Sequence, residues 1–205
     1  MTTLARHNKS DFVSAHGSDF LFKRGRMSRF LNRFLRAVKL DVSLYQEIVM
    51  DGGAMNQALI VVFIYSMASA YGTFGRTGVT GINIGMVTTL LGWYVWAFST
   101  YIVGARFLPE TQTKPDRKAL MRTLGFASAP GVLRVLGFVQ GFGIVILLIA
   151  AIWMVAAATV GVNQALSYES TSRALGVCTI GLIISAVFQG LMFILMFSAF
   201  GVTAR

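Results

Sequence analysis

Few side chains in this 205-residue chain are of a type that does chemistry, and where they lie limits what they can do. The two histidines, His7 and His16, stand near Asp11 and Asp19 in the first 26 residues. Imidazoles and carboxylates so placed can chelate a metal loosely, but an aperiodic polar stretch more simply leaves them solvated. Gly72, Gly75, Gly78 and Gly81 recur at every third position. A glycine-rich loop can cradle phosphate, yet the P-loop also needs Gly-Lys-Ser/Thr opening a helix, which is missing here, so the stretch reads as a tight connection. There is no H-E-x-x-H, G-x-S-x-G or C-x-x-C, and no pair of carboxylates within an apolar run. The acids stand outside those runs: Glu47 and Asp51 before the first, Glu110 and Asp116 between the second and third, Glu169 between the last two. This pattern argues against an enzyme and points to no catalytic residue, metal or cofactor. Arg134 is the one charge inside an apolar run. An intramembrane arginine marks a functional site by default, although near the end of a span it snorkels to headgroups.

The elements that position these residues follow from composition. The chain is 55% hydrophobic and 13% charged, against roughly 25% charged in ordinary globular proteins. Its mean hydropathy is +0.67. A single core of this size cannot hide so much apolar surface in water, so the chain reads as a membrane protein. A membrane helix needs about 20 apolar residues at 1.5 Å each. Four runs qualify, at 54–72, 82–105, 144–163 and 174–200. A fifth, 123–139, is interrupted by Pro130, glycines and Arg134, and hydropathy alone leaves it as a kinked span or a re-entrant piece.

The net charge of +10 suggests nucleic acid until its distribution is traced. Residues 1–40 hold nine Lys/Arg and two Asp, and 106–122 hold five Lys/Arg and two acids. These blocks flank apolar runs, as expected where a basic surface meets an anionic leaflet, so the charge is a topology signal and not a nucleic-acid footprint. A cytoplasmic N-terminus with five spans puts both blocks inside and leaves Arg76 and Arg205 outside. The first run starts too late for a cleaved signal peptide and reads as an uncleaved anchor. Cys178, alone, excludes an internal disulfide.

Residues 1–26 read as a disordered basic tail, with Met27 a candidate start. In 27–50 the text becomes amphipathic: Phe30, Leu31, Phe34, Leu35 and Val38 form one helical stripe, with Arg29, Arg33, Arg36 and Lys39 on the remaining surface. Such a helix lies in the headgroup plane with its cations toward lipid phosphates, or packs on the cytoplasmic ends of the spans. Small residues spaced four apart, Gly81 with Gly85, Gly137 with Gly141, and Ala186 with Gly190, let helices approach closely within the chain or between copies. Trp93, Tyr94, Trp96 and Phe98 cluster within the second span, where bulky packing is the simplest role; Thr88, Thr89, Ser99, Thr100, Asn56 and Gln57 are candidate partners for the indole N–H and phenol O–H.

The order of these elements resembles a known family. A basic amphipathic helix, the segment DVSLYQEIVMDGGAMNQALIVV, the third-span motif GFASAPGVL with Gly125, Phe126 and Pro130, and VGVNQALSYESTSRALGV are together similar to the YIP family over about residues 28–202, most of all its prokaryotic branch. These Yip-domain membrane proteins are named for interacting with Ypt/Rab GTPases. The resemblance implies an all-α bundle of five transmembrane helices, spanning 51–205, behind the interfacial helix. It implies a non-enzymatic role in membrane organisation or partner binding, in a prokaryotic plasma (inner) membrane with the C-terminus outside. Eukaryotic relatives bind prenylated Rab proteins partly through a D-L-Y-G-P motif. Here Ser43-Leu44-Tyr45-Gln46-Glu47 stands in the comparable region without Gly-Pro, which argues against Rab binding. Expected partners are membrane lipids of the anionic leaflet, a second copy or another membrane protein. The competing expectation is a small transporter or channel, with Arg134, Asn83, Thr88, Asn163 and Gln189 lining a path.

Overall fold

A computed structural model describes residues 27–74, 78–113, 116–139 and 141–199. The tail residues His7 and His16, the Gly75–Thr77 connection, and Arg205 lie outside the described residues. All regular structure among the described residues is helical. The chain divides into two compact units after Leu35.

The described part of the first unit is the start of helix α1, residues 27–38. Its Phe30 and Phe34 rings pack one turn apart, 6.3 Å between centroids. Met27, Leu31 and Leu35 stay exposed, whereas Arg33 is buried. Of the apolar residues Phe30, Leu31, Phe34, Leu35 and Val38, Leu31 and Leu35 are exposed and the other three are half-buried.

The second unit begins with the end of α1, which closes through Leu40 in the left-handed region at φ 60°. The Leu40 N–H reaches Ala37 O at 3.1 Å and the Asp41 N–H reaches Arg36 O at 3.1 Å, a Schellman closure that glycine usually makes. Helix α2 (Val42–Met50) starts where the Asp41 carboxylate accepts the Ser43 N–H, and it buries Leu44, Tyr45 and Ile48. Four long helices follow: α3 (Ala54–Phe74), α4 (Gly78–Ile102, prolonged by a π-helical turn at Val103–Phe107), α6 (Gly143–Leu166) and α7 (Thr171–Ala199). All four are long and apolar enough to cross a membrane. About half of the apolar stretch of α3 and α4 is buried, against roughly a quarter in α6 and α7. Those two helices turn Ile152, Ile183, Val187 and Ile194 outward, all more than half exposed. A surface like this suits lipid and would aggregate in water.

The fifth expected helix is not one helix. Helix α5 (Arg117–Ala127) opens under an Asp116 cap, and after Ser128 the chain tightens into a 3-10 helix, Ala129–Phe138. Pro130 causes the change: it has no N–H for the α-ladder, and its ring meets the carbonyl four residues back. The first half also carries Arg117, Lys118 and Arg122, so no 18-residue apolar helix exists here. Among the described residues four helices are thus long and apolar enough to cross a membrane, and the stretch expected as the fifth is a broken segment.

That segment runs alongside α3 from end to end. Arg122 meets the end of α2, Gly125 meets Ala58, Gly131 meets Tyr65, and Gly72 meets the backbone of Arg134 and Gly137. A side chain on Gly125 would stand 2.8 Å from the Ala58 methyl, which is why only hydrogen fits there. Helix α6 returns antiparallel: Gly143 lies beside Gly137, Met154 beside Gly131 and Gly161 beside Thr123. Helices α4 and α7 pair antiparallel, with Gly104 against Val177, Thr100 against Gly181 and Gly92 against Gln189.

Candidate functional site

Polar clusters stand at both ends of this unit, and those at the α2 end follow from helix starts and stops. At the α2 end, Arg36 spends its donors on three neighbours: Nε on Asp41 Oδ2 at 2.8 Å, Nη1 on Glu47 Oε2 at 2.9 Å, and Nη2 on Ser43 Oγ at 2.9 Å. The Arg36 hydrogen bond, helped by those from Ser43, holds the Asp41 carboxyl down at about 2. Arg122 is 7% exposed and donates to Ile48 O at 3.2 Å and Val49 O at 2.8 Å. It thereby satisfies carbonyls that the last turn of α2 cannot pair itself. Trp153 Nε1 donates to Val38 O at 3.0 Å.

The α4–α5 and α6–α7 connections are latched at the same end. The Tyr168 hydroxyl lies 2.7 Å from Gly104 O and 2.8 Å from Leu108 O, and burial pushes its pKa up to about 12, so it stays a donor. Glu110 accepts the Glu169 N–H at 2.7 Å and the Ser170 N–H at 3.3 Å, just before α7, and pairs with Arg173 at 3.7 Å. A cavity of about 320 Å³ opens between these connections. Its carboxylates are taken: Gln112 Nε2 donates to Glu169 at 2.7 Å. No cluster of three metal-ligating side chains occurs among the described residues.

At the other end, Arg134 Nη1 donates to the buried Tyr65 hydroxyl at 3.0 Å, and its guanidinium carbon stands 5.4 Å from the Tyr65 ring centre. Its Nε is buried and has no acceptor. Beside it is a cavity of about 230 Å³ lined by Gly72, Thr73, Gly137, Gly143 and Ile144. Every described carboxylate lies at the opposite end or in its loops, and no ion pair to Arg134 forms among the described residues.

The residues singled out from sequence fall as follows. Arg29 and Lys39 are exposed, Arg33 is buried and Arg36 is held in ion pairs. Phe126 and Pro130 are buried beside Gly125, and the motif serves packing on α3. Gly81 and Gly85 are buried on α4. Gly137 packs on Gly72, but Gly141 forms no helix face with it: the 3-10 helix has ended, and Gly141 turns the chain at φ +84° with open space around it. Asn83, Thr88, Asn163, Gln189 and Arg134 do not converge: Asn83 is exposed, Asn163 lies at the end of α6, and Gln189 packs on Gly92. The indole groups of Trp93 and Trp96 donate to backbone carbonyls, Leu124 O at 3.4 Å and Cys178 O at 3.2 Å, and to none of the side chains expected. Tyr94 and Phe98 stack, and Arg117 bridges them, 2.9 Å from the Tyr94 hydroxyl and 5.4 Å above the Phe98 ring.

Arg122 and Tyr168 make contacts that the sequence does not announce, and Glu110, visible there as a loop acid, gives no sign of its partners before α7. The available signal for Arg122 was a cation among Leu120, Thr123 and Leu124, on the face that a helix must bury.

The chain matches no protein-family model, no curated protein and no solved structure.

Proposed function

We propose that the protein is a non-enzymatic integral membrane scaffold of the Yip type, in which 117–138 crosses the bilayer as a broken fifth span between α4 and α6. The parallel run of this segment beside α3 supports that topology, because it links helix ends that lie at opposite ends of the unit. The α2 end faces the cytoplasm under the positive-inside bias, and α1 contacts the anionic leaflet through Arg29, Lys39 and the outward Met27, Leu31 and Leu35. The lipid-facing surfaces of α6 and α7 are then free for a second copy or another membrane protein.

One observation carries the scaffold reading over a transporter: five serine and threonine hydroxyls along the helices are spent on backbone carbonyls, and the two buried ones without a partner among the described residues, Ser66 and Thr100, stand on different helices. Ser99 bonds Val95 O at 2.7 Å, Thr123 bonds Ala119 O at 2.7 Å, Ser128 bonds Leu124 O at 3.0 Å, Thr159 bonds Val155 O at 2.8 Å, and Ser185 bonds Gly92 O at 2.7 Å. A transport path requires such groups to be turned toward a shared lumen. The test is purification of the intact chain in mild detergent with its partners, read by mass spectrometry, beside flux measurements in proteoliposomes. A stable protein complex without solute flux is the expected result. Selective flux that Arg134→Ala abolishes would overturn it.

A further inference from the structure

We propose that the cavity beside Arg134 is a binding site for a phosphate group, with a phospholipid headgroup as its natural occupant. The proposal rests on the reading that the Gly72 end of the unit lies at the headgroup layer of the far leaflet. Three observations point to an anion of this kind. Arg134 lines a cavity of about 230 Å³, and at roughly 30 Å³ per water that space exceeds what a single trapped water fills. Its cation has no carboxylate partner among the described residues; Tyr65 takes one Nη1 donor, and the buried Nε has no acceptor. A charge at this depth is retained only against a counter-charge or acceptors, and among the described residues this end supplies one, the Tyr65 hydroxyl, to a group with five N–H donors. The planar guanidinium fork matches a tetrahedral oxyanion through paired N–H groups.

The wall beside Arg134 is largely main chain: Gly72, Gly137 and Gly143 line the cavity, and the side of each where a side chain would stand is taken by the backbone of Arg134, Gly72 and Gly137 in turn. Helix α6 begins at Gly143 with no side-chain cap from Phe142, and its positive end adds to the field of Arg134. Ile144, 75% exposed, and Leu147 supply an apolar lip beside which acyl chains can lie. A headgroup phosphate with attached chains satisfies both halves of this lining. Free phosphate satisfies only the polar half.

The test uses the full chain, purified in a neutral detergent and stripped of lipid, in phosphate-free buffer. Native mass spectrometry counts retained lipid and thermal unfolding reads stabilisation after addition of phosphatidylglycerol, phosphatidylcholine, diacylglycerol or sodium phosphate. One retained molecule of either phospholipid, with no retention of diacylglycerol, is expected. Arg134→Gln should weaken retention about tenfold or more, the worth of a charge-assisted hydrogen bond. Ile144→Glu places a carboxylate at the cavity rim; it should abolish retention without lowering the lipid-free melting temperature, which separates a lost site from a lost fold. Stabilisation by sodium phosphate equal to that by the lipids would keep the site and make free phosphate its occupant. Diacylglycerol retained as well as the phospholipids, or full retention by both variants, would overturn the proposal. Labelling of Phe142→Cys from either side of sealed vesicles reports separately whether the turn reaches the far surface, so a failed site and a failed topology give different results.

Discussion

The two ends of the helical unit solve the same problem in opposite ways. At the α2 end, arginines are absorbed: Arg36 by Asp41, Glu47 and Ser43, and Arg122 by two carbonyls of α2. At the Gly72 end Arg134, the one arginine among the described residues there, has one phenol for company and a cavity at its side. One end is closed by its own sequence, and the other is left to be completed by its surroundings. Buried cations therefore cannot be ranked by depth alone; what matters is whether the chain brings its own acceptors.

The largest effect expected from this contrast is at Arg122. Arg122→Ala leaves two α2 carbonyls unpaired and opens a gap, and should cost about 3 kcal/mol in denaturant unfolding in detergent. Arg134→Gln should cost less than about 1 kcal/mol in the same lipid-free assay, since it loses one bond to Tyr65 and relieves an uncompensated charge. Equal losses at the two sites would break the comparison. Between them falls Gly125→Val, which pushes a branched side chain into Ala58 and should cost about 2 kcal/mol by overpacking. A gain is expected at Leu40→Gly, up to about 1 kcal/mol, because the left-handed closure of α1 is strained for any residue with a Cβ. The smallest effect is that of pH on the Arg36 cluster. The Asp41 carboxyl titrates at about 2, below its ordinary range, so its contribution is complete above about pH 4 and fades as pH falls toward 2. Asp41→Asn should remove that acid-limb dependence from unfolding curves. At the other extreme of pH, the Tyr168 latch is intact below about pH 10 and lost as pH rises toward 12, a dependence that Tyr168→Phe should flatten.

The four long helices were legible because apolar length is a one-dimensional property. The broken segment 117–138 was half legible. Pro130 announced a break, but the cations Arg117 and Arg122 hid the α-helical half, since their partners are a tyrosine hydroxyl 23 residues away and carbonyls 73 and 74 residues away. Arg134 stood out as a lone charge, yet nothing in the text separates its partner Tyr65, 4% exposed, from Tyr71, 49% exposed on the same helix. The tryptophan partners were out of reach for a different reason: backbone carbonyls carry no residue identity. The acids near the first span read only as charge, whereas Asp41, Asp51 and Asp116 each accept the N–H two residues on at a helix start.

The 3-10 helix has a consequence for reach. Each of its residues advances about 2.0 Å, against 1.5 Å in an α-helix. Over the ten residues Ala129–Phe138 the gain is about 5 Å, close to one α-helical pitch. The segment opening at Arg117 is short of apolar residues, and stretching its second half lets it draw level with the end of α3 without one more turn of sequence. Winding those ten residues into α-form would draw the Gly141 turn inward by the same 5 Å and swing Arg134 off Tyr65, so the spacing between these two side chains acts as a ruler for the whole segment.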